Sequence, residues 1–262
     1  MTAREPYTSP MTETILIARR FNGPHDSGNG GYSAGLAAGL LPGAESVEAT
    51  LRAPIPLDQP LQVERTEAGL DLAAGIDGIR TLIMSVRPTH LALPDVKSPG
   101  LDAATVAAAT YRDINDHVLP HCFVCGPARA EGDGLRIFAD WLKDPAGIEN
   151  PNAFPIVAAP WRPTPDLADA SGHVAAEFMW AALDCPGAFA IDAEPILLGR
   201  MSARILSRPP VGDPVVVIAW AKGRDRRKYF AGSALFTPAG DLLAFSEQTW
   251  IQIDAHAPPK EL

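Results

Sequence analysis

Pro56-Leu57-Asp58-Gln59-Pro60-Leu61-Gln62-Val63 and Pro210-Val211-Gly212-Asp213-Pro214-Val215-Val216-Val217 read alike: each is a proline-bracketed turn that opens onto an apolar strand. The offset is constant and carries upstream, where it sets Val47 against Met201 and Ala49 against Ala203. The elements around the two stretches follow the same order. In the first half a strand-like run from Thr12 to Arg20 leads through the turn-rich FNGPHDSGNG to a small apolar segment, Gly31 to Leu41, closed by Pro42-Gly43. Its Ala and Leu favour helix, and its three glycines weaken that reading unless something packs very close. Strands are expected at Val47–Pro54, Leu61–Glu67, Leu70–Ile76 and Arg80–Arg87. In the second half strands at Leu135–Trp141 and Ile156–Trp161 precede a helix at Ala175–Ala190, which Pro186-Gly187 is expected to bend or end. Strands at Met201–Ser207, Pro214–Ala221, Tyr229–Phe236 and Leu242–Ile253 follow.

The order implies an internal duplication. The first repeat spans residues 1–88, the second 134–262, and 89–133 is a linker with one short helix at Asp102–Tyr111 and a glycine-rich loop, HCFVCGPARAEGDG. An apolar helix cannot bury itself alone, but a strongly curved antiparallel sheet can wrap it. Two such α+β halves can then pair sheet edge to sheet edge, which hides open strand edges.

With 262 residues, 47% hydrophobic and 20% charged, the chain can bury a substantial core. The 26 prolines and 22 glycines suit short strands joined by turns. A net charge of -9 argues against a general nucleic-acid binder. No run of about 18 apolar residues offers a membrane span, and Met1 to Pro10 lacks the apolar core of a secretion signal. Three cysteines, an odd and low count, do not make a disulfide scaffold. A reducing cytoplasm is the expected location.

Three stretches together resemble the tandem double-hotdog acyl-CoA thioesterases of the type called acyl-CoA thioesterase II. Gly30-Gly31-Tyr32-Ser33-Ala34-Gly35-Leu36-Ala37-Ala38 resembles the family's Gly-Gly start to the first helix. Leu51-Arg52-Ala53-Pro54 through Pro60-Leu61-Gln62-Val63-Glu64 resembles its Leu-Arg-Pro strand, turn and next strand. Gly240 through Gln248 resembles its last strand, which runs Gly-x-Leu-Val-Ala to a Gln. The likeness covers both repeats and leaves out about Thr89 to Pro160. It implies two hotdog repeats, each a curved antiparallel sheet around one helix, and hydrolysis of an acyl-CoA to free acid and CoA, with CoA part of the substrate and no other cofactor. It also implies a catalytic group made of an Asp on the second helix, a Thr or Ser on the following strand and a Gln on the last strand. Asp184 and Gln248 match the first and last. The hydroxyl position falls on Gly199, and Ser202 is the nearby substitute.

Thioester hydrolysis needs an activated water and a stabilised oxyanion. On this reading Asp184 acts on the water, Gln248 positions it, and the backbone N–H of Gly31 or Gly30, at a helix start, meets the oxyanion. Asn29 and Gly30 would contact substrate, although Asn29-Gly30-Gly31 reads equally as a turn and cap. An acid in an apolar helix also has a plainer reading, bonding the chain where Pro186 breaks it. Trp180, one turn before Asp184, is a candidate wall for an acyl tunnel. Arg224 and Arg227, in the dense basic run GRDRRKYF, are candidates to hold CoA phosphates, or else a solvated hairpin tip.

Two other classes remain open. The missing hydroxyl suits a non-catalytic acyl-CoA or lipid-binding protein, and His25-Asp26 faintly suits a hotdog enoyl-CoA hydratase. Cys122-Phe123-Val124-Cys125 is half of a zinc knuckle with no second pair. Cys185 or His173 would have to join from afar, so no metal is expected. Sheets of this kind often pair further, and a homo-oligomer is compatible with the sequence.

Overall fold

The computed structural model describes residues 13–111, 115, 117–142, 150–193 and 195–253. The expectations for Met1 to Pro10 and for the strand start at Thr12 lie outside the described residues. The first half contains β1 (Thr14–Leu16), α1 (Gly30–Ala38), β2 (Ser46–Leu51), β3 (Pro60–Thr66), β4 (Gly69–Ile76) and β5 (Ile79–Thr89). After α2 (Leu101–Ala108) come β6 (Asp140–Trp141), β7 (Val157–Trp161), α3 (Ala176–Ile191), β8 (Ile196–Ile205), β9 (Val215–Asp225), β10 (Lys228–Phe236) and β11 (Leu242–Gln252).

The eleven strands among the described residues form one antiparallel sheet in the order β1-β3-β4-β5-β2-β8-β11-β10-β9-β7-β6. Read outward from the middle, β2-β5-β4-β3-β1 and β8-β11-β10-β9-β7 are the same list, which is the signature of a duplicated unit. The seam carries the same symmetry. Val47 pairs with Ala203 and Ala49 with Met201, while Glu48 faces Ser202. Since Val47 aligns with Met201 and Ala49 with Ala203, a local two-fold axis passes through the Glu48 and Ser202 pair. Joining β2 to β8 satisfies two edges that each half alone would leave open.

Both central helices are buried, which explains why neither has a polar stripe. They pack on one another at the glycines of α1. A Cβ added at Gly31 would lie 2.5 Å from Cβ of Asp184, and one at Gly35 would lie 2.6 Å from Cβ of Trp180 and 2.8 Å from Cα of Glu177. The close neighbour that the glycines needed is therefore the second helix. On the far side of the second half of the sheet, α2 covers a separate apolar layer that includes Leu91, Ala104, Ile156, Ile218, Phe236 and Phe245. No helix among the described residues is long and apolar enough to cross a membrane.

One open alternative is decided and one expectation is corrected. Helix α3 matches the expected span and runs through Pro186-Gly187 to Ile191, so the proline does not end it. A proline inside a helix removes one ladder bond, here the one to the Ala182 carbonyl, and loosens the turn before it; side chains of the sheet donate to the neighbouring Leu183 carbonyl of that turn. The segment from Leu135 is a strand only at Asp140–Trp141. The backbone N–H groups of Leu135 and Ile137 bond instead to the carbonyls of Phe123 and Val124, so this stretch docks on the cysteine loop and joins no ladder.

Gly35→Ala is expected to lower stability by about 1 to 3 kcal/mol, because the overlap is with backbone and a core Cβ that cannot yield. Gly39→Ala, where an added Cβ meets nothing closer than 3.4 Å, is expected to be near neutral. Denaturant unfolding of the two variants checks this.

Candidate active site

Helix α3 delivers Asp184 to the N-terminus of α1. Asn29 caps that helix, its side-chain oxygen accepting the Tyr32 N–H at 2.8 Å. The next free donor, the Gly31 N–H, donates to Oδ2 of Asp184 at 2.8 Å. Asp184 is 2% exposed, and its Oδ1 has no hydrogen-bond partner among the described residues. Burial pushes its carboxyl up to about 7 against the opposing pull of the Gly31 N–H, with the Cys122 sulfur raising it further and Asn29 lowering it. A carboxyl poised near neutrality suits proton transfer to and from water. The structure brings Asp184, Gly31, Gly30 and Asn29 together, but it commits the Gly31 N–H to the carboxylate and not to open space.

Gln248 is buried and fully engaged. Its Nε2 donates to the Leu183 carbonyl at 2.5 Å, to Ser246 Oγ at 3.0 Å and to Ser233 Oγ at 3.2 Å. Its Oε1 accepts Trp250 Nε1–H at 2.8 Å. Ser233 Oγ also donates to the Leu183 carbonyl at 2.7 Å. These side chains support the turn of α3 that Pro186 opens, one residue from Asp184. The geometry does not favour the expectation that Gln248 holds the water: both amide hydrogens are spent on Leu183 and the two serines, Oε1 already accepts from Trp250, and the side chain braces α3. Sequence reasoning missed Ser233, Ser246 and Trp250. The period-two spacing of Ser246, Gln248 and Trp250 puts them on one strand face and was the available signal.

Three further expectations change. Strand alternation buries Met201 and Ala203 against the helices, so Ser202 points to the opposite sheet face, where its Oγ meets Glu48 at 3.5 Å. Ser202 cannot replace the hydroxyl missing at Gly199. Trp180 packs on Gly35 between the helices and lines a pocket with Gly35 and Ala38, away from the cavity that Cys185 faces. His25 and Asp26 bond one another at 2.7 Å in an exposed loop, with side chains 82% and 86% accessible. That open setting gives no shielded place for hydratase chemistry.

A cavity of about 200 Å³ lies between α3, the linker and the ends of β8 and β11. Tyr111, Leu119, Phe189 and Trp250 form its walls, and Cys125 and Cys185 face it. Its rim includes Val118, Leu197 and Ile253, all more than a third exposed. The β9–β10 hairpin reaches the same end of the sheet. Arg227 donates to the carbonyl of Gln252 through Nε at 3.0 Å and Nη2 at 2.8 Å, next to Ile253 on the rim. Arg224 lies over the Tyr229 ring at 5.7 Å.

The cysteines also converge. Cys185 stands beside the Cys122 and Cys125 pair, with the three sulfurs within 4.8 Å of one another and all buried. Hydrogen bonds from Cys125 and Cys185 hold the Cys122 thiol well below the usual thiol range, and the same contacts push Cys125 and Cys185 up. Helix α3 brings Cys185 to the loop, a long-range approach that spacing along the chain does not reveal.

No protein-family model matches the chain, and no curated protein matches it. Solved structures do. A proposed thioesterase from Novosphingobium aromaticivorans aligns at 17% identity over 92% of this chain and 95% of that one, with a TM-score of 0.54. The tesB protein of Mycobacterium avium subsp. paratuberculosis aligns at 13% identity over 95% and 91%, with a TM-score of 0.52. A protein of unknown function with a hot dog fold, from Alicyclobacillus acidocaldarius, aligns at 14% identity over 96% of each chain, with a TM-score of 0.50. At these identities the likeness is one of fold.

Gln248→Ala is expected to destabilise the protein on the order of 2 to 3 kcal/mol, since it strands the Trp250 N–H and removes a donor from the Leu183 carbonyl in a dry interior. Thermal unfolding measures it, and a variant as stable as the wild type would contradict the positioning role.

Proposed function

We propose that this tandem-hotdog chain hydrolyses acyl-CoA thioesters, with Asp184 as the acid that handles the water. The observation that carries the reading is the state of Asp184: a buried carboxyl, one oxygen fixed by a helix-terminal N–H and the other without a hydrogen-bond partner among the described residues. An acid left this way in an apolar interior costs several kcal/mol unless a ligand or reaction uses it. The apolar cavity supports the reading. It suits an acyl chain, and Cys185, the residue after Asp184, faces it. The basic hairpin tip beside the rim supports CoA as the carrier, because arginine forks match phosphate oxygens. The three free thiols fit a reducing cytoplasm, and the net charge of -9 fits a small-molecule substrate better than a nucleic acid.

In the proposed step the Asp184 carboxylate takes a proton from water as the water oxygen bonds to the thioester carbonyl carbon. The oxyanion forms near the N-terminal turn of α1, whose dipole favours it. The tetrahedral species collapses with cleavage of the carbon–sulfur bond, and the leaving thiolate takes the proton back from Asp184. Products are the carboxylic acid and CoA thiol. Trp250 and Phe189 exclude bulk water from the acyl side.

A second reading, acyl-CoA binding without turnover, is favoured by one observation: Gln248 is engaged elsewhere and neither Gly199 nor Ser202 offers a hydroxyl to the site.

Free-thiol release from short, long and aromatic acyl-CoAs separates the two. Hydrolysis is expected to require Asp184, with Asp184→Asn at least about tenfold slower, roughly 1.4 kcal/mol of barrier. Binding of acyl-CoA with no turnover on the whole panel would favour the second reading. Arg224→Ala combined with Arg227→Ala is expected to raise KM while leaving kcat within about twofold, since the pair touches a part of the substrate that does not react.

A further inference from the structure

The Cys122-to-Cys125 loop is built tightly. The Gly126 N–H donates to the Cys122 carbonyl at 2.8 Å, and no Cβ fits at Gly126, where it would lie 2.5 Å from that carbonyl oxygen. The backbone of Val124 and Cys125 lies beside the Cys122 sulfur and favours its thiolate. The Phe123 N–H donates to the Asn22 carbonyl at 2.8 Å, and the Leu135 and Ile137 N–H groups close the other side. This rigid loop faces Cys185 on α3 and the cap residue Asn29 on α1.

We propose that Cys122, Cys125 and Cys185 bind one divalent thiophilic ion of the zinc type, clamping the linker to α3. Zinc–thiolate bonds of about 2.3 Å set the sulfur–sulfur edge of a tetrahedral site near 3.8 Å. Cys122 and Cys185 already stand 3.7 Å apart, and Cys125 is within 4.8 Å of both. A disulfide would draw two sulfurs to about 2.05 Å and leave the third without a role, whereas a metal uses all three. The surrounding donors suit thiolates. Besides that loop backbone, Asn29 Nδ2 lies 3.9 Å from the Cys122 sulfur and 4.0 Å from the Cys185 sulfur. Such second-layer N–H groups orient metal-bound sulfurs and spread their charge. Zinc held by three protein ligands carries a fourth, exchangeable ligand such as water. Cys125 and Cys185 face the cavity, which gives that ligand room. The clamp would join the linker, the second helix and the wall of the cavity in one covalent-like unit, with no dependence on whether the protein hydrolyses anything.

The test is metal analysis of the full chain purified under reducing conditions from zinc-supplemented medium. About one zinc per chain is expected. Replacement by Co²⁺ is expected to give the near-ultraviolet thiolate-to-cobalt band and the intense visible bands of a tetrahedral site. Cys185→Ser, which leaves the Cys-x-x-Cys pair in place, is expected to weaken zinc binding at least about tenfold. Wild-type protein with less than about a tenth of an equivalent of zinc and no cobalt band would overturn the proposal. So would a metal-free wild-type protein purified without reductant whose mass is lower by two hydrogens, which would mark the pair as a disulfide.

Discussion

The approach of α1 to α3 is the constraint on which the rest depends. Gly31 and Gly35 let two backbones come closer than any side chain would permit, and the first of them turns its N–H onto Asp184. That single contact joins the two repeats at their centre. It fixes the acid against the positive end of α1 and leaves one carboxylate oxygen with no hydrogen-bond partner among the described residues. The seam between β2 and β8 closes the sheet around the helices, so the two halves share one core and one site.

Dry surroundings give that arrangement its chemical consequences. Burial keeps the Asp184 carboxyl near neutrality in its proton affinity and makes every neighbouring polar group consequential. The network of Gln248, Ser233, Ser246 and Trp250 holds the proline-opened turn of α3 directly beside Asp184. The cysteine loop packs against the same helix from the opposite repeat boundary. Asp184 is thus positioned from three sides by elements that are far apart in the chain, and the apolar cavity opens one residue away from it.

Much of the fold could be read from residues alone. The Pro56 and Pro210 turns, the offset between Val47 and Met201, and the order of strands and helices together imply the duplication; the two-fold axis at Glu48 and Ser202 needed the pairing register of β2 and β8. Asp184 stood out as an acid in an apolar helix. Other features depended on long-range geometry. Pro186 left open whether α3 bends or ends, because the side chains that brace the Leu183 carbonyl beside it sit on β10 and β11, far along the chain. Ser202 read as a substitute hydroxyl because nearness along a strand hides the alternation of faces. Trp180 read as a tunnel wall, but the bare surface of Gly35 draws it between the helices. Cys185 read as distant from the Cys122 pair until α3 placed it there.

Whether an acyl thioester meets Asp184 decides the function. The most direct measurement is a crystal structure of the Asp184→Asn variant with a non-hydrolysable thioether analogue of an acyl-CoA. The account predicts the acyl chain against Phe189 and Trp250, the thioether carbon within about 4 Å of residue 184, close enough for one water between them, and the CoA phosphates at the β9–β10 hairpin. An analogue bound on the outer sheet face or in another pocket, with residue 184 untouched, would contradict it.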